Sequence, residues 1–269
     1  LCTAQSIHKI IDTHLETSEF IIFDEVHEFS KGKITTSMVK SFPKASIRIG
    51  MTATPPAEDY ALLNIVSFLG PVVSDVDASG LIEEGFLTQP KITMLDLEDQ
   101  GSADDIGLTY REIYEKYITD NEVRNDILSE LVASIRKKPS KTLILVKDLK
   151  HAKTLQDMIP NSYKLEGMDS LTVREEVIQK FKEEETSVII GTTIFQTGVD
   201  IPEITHLINA RGLKSEIATL QALGRALRIH ETKKEVFIYD FLDKVPYLGA
   251  HANKRIKSYK KLGFEVEVK

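Results

Sequence analysis

The chain has 269 residues, 42% of them hydrophobic and 28% charged, an ordinary soluble composition with room for two domains. No apolar run approaches the roughly 20 residues a membrane-spanning helix needs, and the one cysteine, Cys2, excludes an internal disulfide or a multi-cysteine zinc site. A net charge of −7, from 34 basic and 41 acidic residues, argues against gripping nucleic acid by bulk charge. It leaves room for a strand held in a local groove by amides, hydroxyls and a few basic residues.

Two blocks repeat one grammar: a short apolar strand, a polar loop at its C-terminal end, then an amphipathic helix. Ile7, Ile10, Ile11 and Leu15 fall at helical spacing, and the strand Phe20 to Phe23 then runs straight into Asp24-Glu25. A second strand, Ser46 to Gly50, leads into Met51-Thr52-Ala53-Thr54-Pro55-Pro56, where the prolines end any regular element. From about Gly70 to Asp105 the character changes, with Leu81 to Gly85 as a short helix and Lys91 to Leu97 as a crossing strand. The lobe boundary is placed here. A helix from about Tyr110 to Ile135 opens the second block. Strands are expected at Thr142 to Val146, Val188 to Ile190, His206 to Ile208 and Val236 to Tyr239, with helices at Lys150 to Met158 and Thr172 to Glu183. Continuous apolar strands alternating with helices predict a parallel sheet covered on both faces. Ala250 to Lys261 reads as a basic tail helix.

Asp24-Glu25-Val26-His27 stands directly after an apolar strand. In nucleotide hydrolysis a carboxylate there can hold Mg²⁺ and its neighbour can orient or deprotonate the attacking water. The position fits because open α/β sheets bind ligands outside the carboxyl ends of their strands. A solvated acidic loop is the plainer alternative for any lone pair of this kind. A zinc-protease reading of His27-Glu28 fails, since Lys31 stands where the second histidine belongs. Arg225 and Arg228 are three apart, so a helix would put them on one face. Two guanidiniums aimed together suit a triphosphate.

Asp24 to His27 followed by Thr52-Ala53-Thr54-Pro55 resembles motifs II and III of the superfamily 2 helicases. Ile190 to Thr193 through Thr197 to Pro202 resembles motif V, and Gln221 to Arg228 resembles motif VI in its Q-x-x-G-R-x-x-R form. Any one match is weak, but the four occur in family order. Thr3-Ala4-Gln5-Ser6 is similar to the segment before motif II, and Leu143 to Val146 to the strand of motif IV. Leu81 to Leu87 and His251 to Tyr259 look closest to the branch that includes XPB-type and phage UvsW-type helicases. The DEAD-box pattern fits less well, because Val26-His27 replaces Ala-Asp and motif VI opens with Gln221.

The resemblance implies two RecA-like α/β lobes, the first truncated at its N-terminus, and a short C-terminal helix. It divides the chain at 1–100, 101–245 and 246–269. It implies ATP and Mg²⁺ as cofactors, with Asp24 on the metal and Glu25, Arg225 and Arg228 as catalytic residues. Asp24, Gly198, Asp200 and Gln221 would bind nucleotide, and His27, Thr52 and Thr54 would couple its state to motif III. Thr3, Gln5, Thr192 and Thr193 would touch the nucleic-acid backbone. For the two latter threonines β-branched strand filling is the alternative, as a solvated basic face is for Lys254, Lys257 and Lys261. The implied partner is DNA, a single strand in the inter-lobe groove or a branched duplex, in the cytoplasm (the host's, for a phage-encoded enzyme) and not at a membrane.

No G-x-x-x-x-G-K-[ST] phosphate loop occurs in the sequence. The start, Leu-Cys-Thr-Ala-Gln-Ser, therefore reads as a cut inside a domain, with the Walker A segment upstream, and the chain alone is expected to lack ATPase activity. Two rival readings are a restriction-enzyme motor subunit and a nucleic-acid-binding module without turnover.

Overall fold

The computed structural model describes residues 17–30, 42–53, 55–56, 59–97, 101–102, 105–192, 201–214, 224–231 and 233–269. Contacts divide the chain into two compact units, Leu1–Asp75 and Val76–Lys269.

In the first unit, strands β1 (Phe20–Phe23) and β2 (Ile47–Gly50) pair in parallel, with Phe20 opposite Ile47 and Phe23 opposite Gly50. Helix α1 (Asp59–Leu69) covers one face, where Ile65 packs with Phe23 and Val26, and Ile21 and Leu69 lie against them. Period-two alternation puts Phe20, Ile22, Ile47 and Ile49 on the other face, and all four are exposed.

The second unit is built on a parallel sheet of seven strands, in the order β5-β6-β4-β7-β8-β3-β9. Its strands are β3 (Gln89–Asp96), β4 (Ser140–Leu145), β5 (Ser162–Leu165), β6 (Thr186–Gly191), β7 (His206–Asn209), β8 (Glu235–Leu242) and β9 (Val266–Val268). Its helices are α2 (Ala78–Glu83), α3 (Tyr110–Tyr114), α4 (Glu122–Ile135), α5 (Leu149–Met158), α6 (Leu171–Glu183) and α7 (Leu248–Lys261). Central strands buried on both faces account for the uninterrupted apolar runs of β4 and β6. Leu143, Leu145, Ile189, Met94 and Ile238 form one core with Phe181 of α6 and Tyr259 of α7. Ile144, Val188, Ile190, Ile208 and Phe241 form the opposite core with Leu128 and Val132 of α4 and Ala152 and Leu155 of α5.

Three elements depart from the sequence reading. The crossing strand, β3, runs beside β8 from Gln89↔Glu235 to Asp96↔Leu242, so it is an interior member of the second unit's sheet. The helix expected over Tyr110 to Ile135 is broken. After α3, whose capping box joins Thr109 and Glu112, a π-helical turn spans Glu115–Thr119, and Asn121 then caps α4 by accepting from the Arg124 amide at 2.9 Å. Asp and Asn side chains compete with the helix for backbone donors, which is why the helix restarts at this pair. Finally, the basic tail is no appendage. Helix α7 buries Leu248, Ala252, Arg255 and Tyr259, and β9 beyond it pairs with β3, Val266 opposite Ile92. Only its outer side, with Lys254, Lys257 and Lys261, is exposed.

Among the described residues no helix is long and apolar enough to cross a membrane.

Burial also gives the second unit an acid-sensitive step. His151 is fully buried and its Nε2 meets Asn125 Oδ1 at 3.0 Å, while Nδ1 has no hydrogen-bond partner. Burial, with Arg124 adding to it, pushes its pKa down to about 4, and burial does the same to His206. Both imidazoles stay neutral in the fold while the unfolded chain takes up protons near pH 6.5. The stability they contribute is therefore complete above about pH 6.5 and is lost as pH falls toward 4. His151 alone accounts for about 3 kcal/mol. Urea midpoints measured from pH 7.5 to 4.5 are expected to fall across that window, and His151→Asn to flatten the slope. An unchanged slope would mean that the His151 ring reaches water.

Candidate active site

In the first unit the site is assembled where β1 and β2 end. Met51 N donates to Phe23 O at 2.8 Å and Val26 N to Met51 O at 2.9 Å, which fastens the Asp24–His27 turn to the segment after β2. Asp24 is exposed at the strand end, and its Oδ1 accepts from the Glu25 amide at 2.9 Å. Glu25 is left-handed, φ +50°. That conformation costs a non-glycine residue about 1–2 kcal/mol and, in structures, concentrates at functional turns. A 3₁₀ helix, Val26–Ser30, begins immediately after it.

The turn brings His27 inward. The residue is 7% exposed, and a 2.7 Å hydrogen bond joins Nδ1 to Thr52 Oγ1. The same nitrogen lies 3.3 Å from Glu25 Oε2, and Nε2 lies 3.5 Å from Glu28 Oε1. One buried imidazole thus connects the carboxylate expected to act on water with the first threonine of the Thr52-Ala53-Thr54 segment. Thr54, Thr3 and Gln5 lie outside the described residues.

In the second unit, Thr192 continues the end of β6, its amide donating to Leu165 O at 3.4 Å, and the residue is half-buried. Thr193, Gly198, Asp200 and Gln221 lie outside the described residues. Helical backbone covers Gly224 to Ala226 and stops there. Arg228 sits beyond that end in an antiparallel bridge with Leu87, its amide 3.3 Å from Arg225 O. The shared helical face expected of the two arginines therefore ends at Arg225, because Leu87 captures the backbone of Arg228. Arg225 is half-buried and Arg228 exposed.

Sequence reading missed a buried polar cluster where β7 and β8 end. The Asp240 carboxylate accepts from Arg255 Nε at 2.8 Å and Nη2 at 3.0 Å, Tyr259 OH at 2.6 Å, Asn209 Nδ2 at 3.1 Å and the Phe241 amide at 2.7 Å. Burial opposes the charge on Arg255, but Asp240 outweighs it and holds the guanidinium's pKa above its ordinary value. Arg255 Nη1 also donates to Leu213 O at 3.0 Å, and His251 Nδ1 lies 3.2 Å from Gly212 O, so α7 holds the segment that leads toward motif VI. One signal was available in the sequence: Asp240 has the inward parity of Val236 and Ile238.

Two family models match the chain. Residues 123–230 match the helicase conserved C-terminal domain, and residues 1–57 match the type III restriction enzyme res subunit. The ATP-dependent DNA helicase uvsW of Enterobacteria phage T4 is 27% identical over 241 residues, covering 87% of this chain and 48% of its own. Over both matched segments the chain is similar to the superfamily 2 helicases. Within this superfamily its relatives are of the UvsW and XPB type. The DNA 3′-5′ translocase XPB2 of Sulfurisphaera tokodaii is 26% identical, with 83% of this chain and 58% of that protein covered. Among solved structures, the fragment of a putative HsdR subunit of a type I restriction enzyme from Vibrio vulnificus YJ016 superposes with a TM-score of 0.73 at 20% identity, covering 98% of this chain and 51% of that one. At that identity the likeness concerns the fold, which is RecA-like in both. The chain spans about half the length of the T4 relative.

Proposed function

We propose that the complete protein is an ATP-dependent DNA helicase or translocase that remodels branched DNA in repair or recombination. The observation that carries this reading is the bond from His27 to Thr52 beside Glu25. A passive binding module has no use for a carboxylate, an imidazole and a hydroxyl in series between two strand ends, whereas a motor must pass its nucleotide state to its grip on the strand.

Asp24 fits a nucleotide-bound Mg²⁺. This ion takes one or two protein carboxylates and completes its shell with water and phosphate oxygens, and Asp24 is an exposed carboxylate at the C-terminal end of a parallel strand. When bound, the ion would neutralise charge on the phosphates. Glu25 then orients the attacking water and accepts its proton, and His27 carries the change to Thr52 and Thr54. Arg225 and Arg228 balance the charge on the transferring phosphoryl group, and Gly198, Asp200 and Gln221 hold the nucleotide. Thr3, Gln5, Thr192 and Thr193 hold the strand backbone. The enzyme acts in the cytoplasm, that of the host if a phage encodes it.

The test uses the complete protein on a four-way DNA junction and on linear duplex of equal length. The wild type is expected to convert the junction with ATP, and Glu25→Gln to retain ATP binding while losing about 10²- to 10⁴-fold in turnover, the range for a positioned general base. Junction and duplex processed alike would remove the branched-DNA part of the proposal. Equal losses of affinity and rate in Glu25→Gln would make Glu25 a structural residue.

A further inference from the structure

Lys233 is a buried cation that the mechanism above does not use. It is 5% exposed, and its ammonium donates to two main-chain carbonyls, Pro202 O at 2.7 Å and Ala226 O at 2.8 Å. Pro202 closes the motif V segment, and Ala226 lies between the two motif VI arginines. A short turn places the lysine, its amide donating to His230 O at 2.9 Å. A second clamp works beside it. Thr88 N donates to Leu227 O at 2.7 Å, and Leu87 bridges Arg228. The carbonyls of Ala226 and Leu227, left over where the helix ends, are thus both held by donors from outside motif VI. A cation at a helix C-terminus is favoured by the dipole as well as by the hydrogen bond.

We infer that Lys233 is a positioning residue for ATP hydrolysis: by tying the end of motif V to the last helical turn of motif VI, it fixes the backbone from which Arg225 and Arg228 reach the triphosphate. The inference rests on the proposed role of those arginines. Methionine, which has no donor, would remove both hydrogen bonds, and glutamine, shorter and uncharged, would replace them only in part, so the turn at Ala226 would relax. Arg228 follows that turn by two residues, so the backbone frame set at Ala226 sets where its side chain starts. Displacing a catalytic group by about 1 Å can cost on the order of 10²-fold in rate.

The experiment uses the complete protein with Lys233→Met, Lys233→Gln, Lys233→Arg, Arg228→Ala and the double variant Lys233→Met/Arg228→Ala. Each is assayed for single-turnover hydrolysis, binding of a fluorescent ATP analogue, DNA binding without nucleotide, and urea unfolding. Lys233→Met and Lys233→Gln are expected to lose about tenfold to a hundredfold in turnover with analogue and DNA affinity unchanged, and Lys233→Arg to recover most of the rate. The double variant should lose less than the product of the two single losses, because both changes act in part through Arg228. If Arg228→Ala is slow while both neutral Lys233 variants turn over normally, this inference is overturned and the role of the arginine stands. If Arg228→Ala hydrolyses normally, both fall. Losses that multiply in the double variant, or loss of the folded state in both neutral variants, would make Lys233 a stability residue and overturn the inference as well.

Discussion

Arg228→Ala in the complete protein is expected to slow single-turnover ATP hydrolysis by about 100-fold or more while leaving nucleotide-free DNA binding and folding stability close to wild type. Arginines that meet a transferring phosphoryl group are worth about 10³ to 10⁵ in rate, because the charge they balance develops fully only as the bond breaks. The structure gives the reason that stability should be spared. Arg228 is exposed, and its main chain is held by the bridge to Leu87 and the amide bond to Arg225 O. Alanine keeps that main chain, and exposed truncations away from caps and cores usually stay within about 0.5 kcal/mol. Lys257→Ala is the matched control, an exposed cation on α7 whose loss should touch DNA affinity or nothing. If Arg228→Ala abolishes DNA binding while hydrolysis per bound complex stays normal, the arginine is a strand contact and the mechanism fails.

How much of this could be read from the sequence depended on whether a residue's type restricts its surroundings. Leu143 to Val146 and Val188 to Ile190 are apolar without interruption, as strands buried on both faces commonly are, so β4 and β6 were legible. Asp24, Glu25, His27 and Thr52 were legible as candidates from their place just after such strands. The 2.7 Å bond between His27 and Thr52 was not, because nothing in the order of the residues says that the ring turns inward. The break at Asp120-Asn121 was missed because the amphipathic period runs through it, and local capping by Asn121 overrode that period. Arg255 and Lys233 were missed for a third reason. Each sits in a basic stretch that reads as solvated, Asn253-Lys254-Arg255 and Lys233-Lys234, and charge patterning does not separate the one inward residue from its neighbours. Only the carboxylate of Asp240 and the carbonyls of Pro202 and Ala226 reveal which cation is buried.

Asp240→Ala is expected to cost the second unit about 3–5 kcal/mol, the usual consequence of removing one partner from a buried ion pair. Five donors converge on that carboxylate, and Arg255, its ionic partner, has no exposed surface. Truncation would leave a guanidinium inside the fold with carbonyl partners at Leu213 and Phe241 but without its bidentate carboxylate. Asp243 stands 3.8 Å from Arg255 Nη2 and already pairs with Arg124, so it can only partly replace the lost charge. Asp240→Asn should cost less than alanine, since the amide oxygen still accepts hydrogen bonds although the charge is gone. Urea unfolding followed by near-ultraviolet circular dichroism suits the measurement, because every tyrosine except Tyr60 lies in the second unit and there is no tryptophan to obscure them. The effect should also reach the site: Arg255 holds Leu213 O on the approach to motif VI, so turnover in the complete protein should fall at urea concentrations where the unit is still folded. A loss of less than about 1 kcal/mol in Asp240→Ala, below the ordinary cost of one unsatisfied buried group, would show that Arg255 finds water on truncation, and that α7 is anchored by its apolar contacts alone.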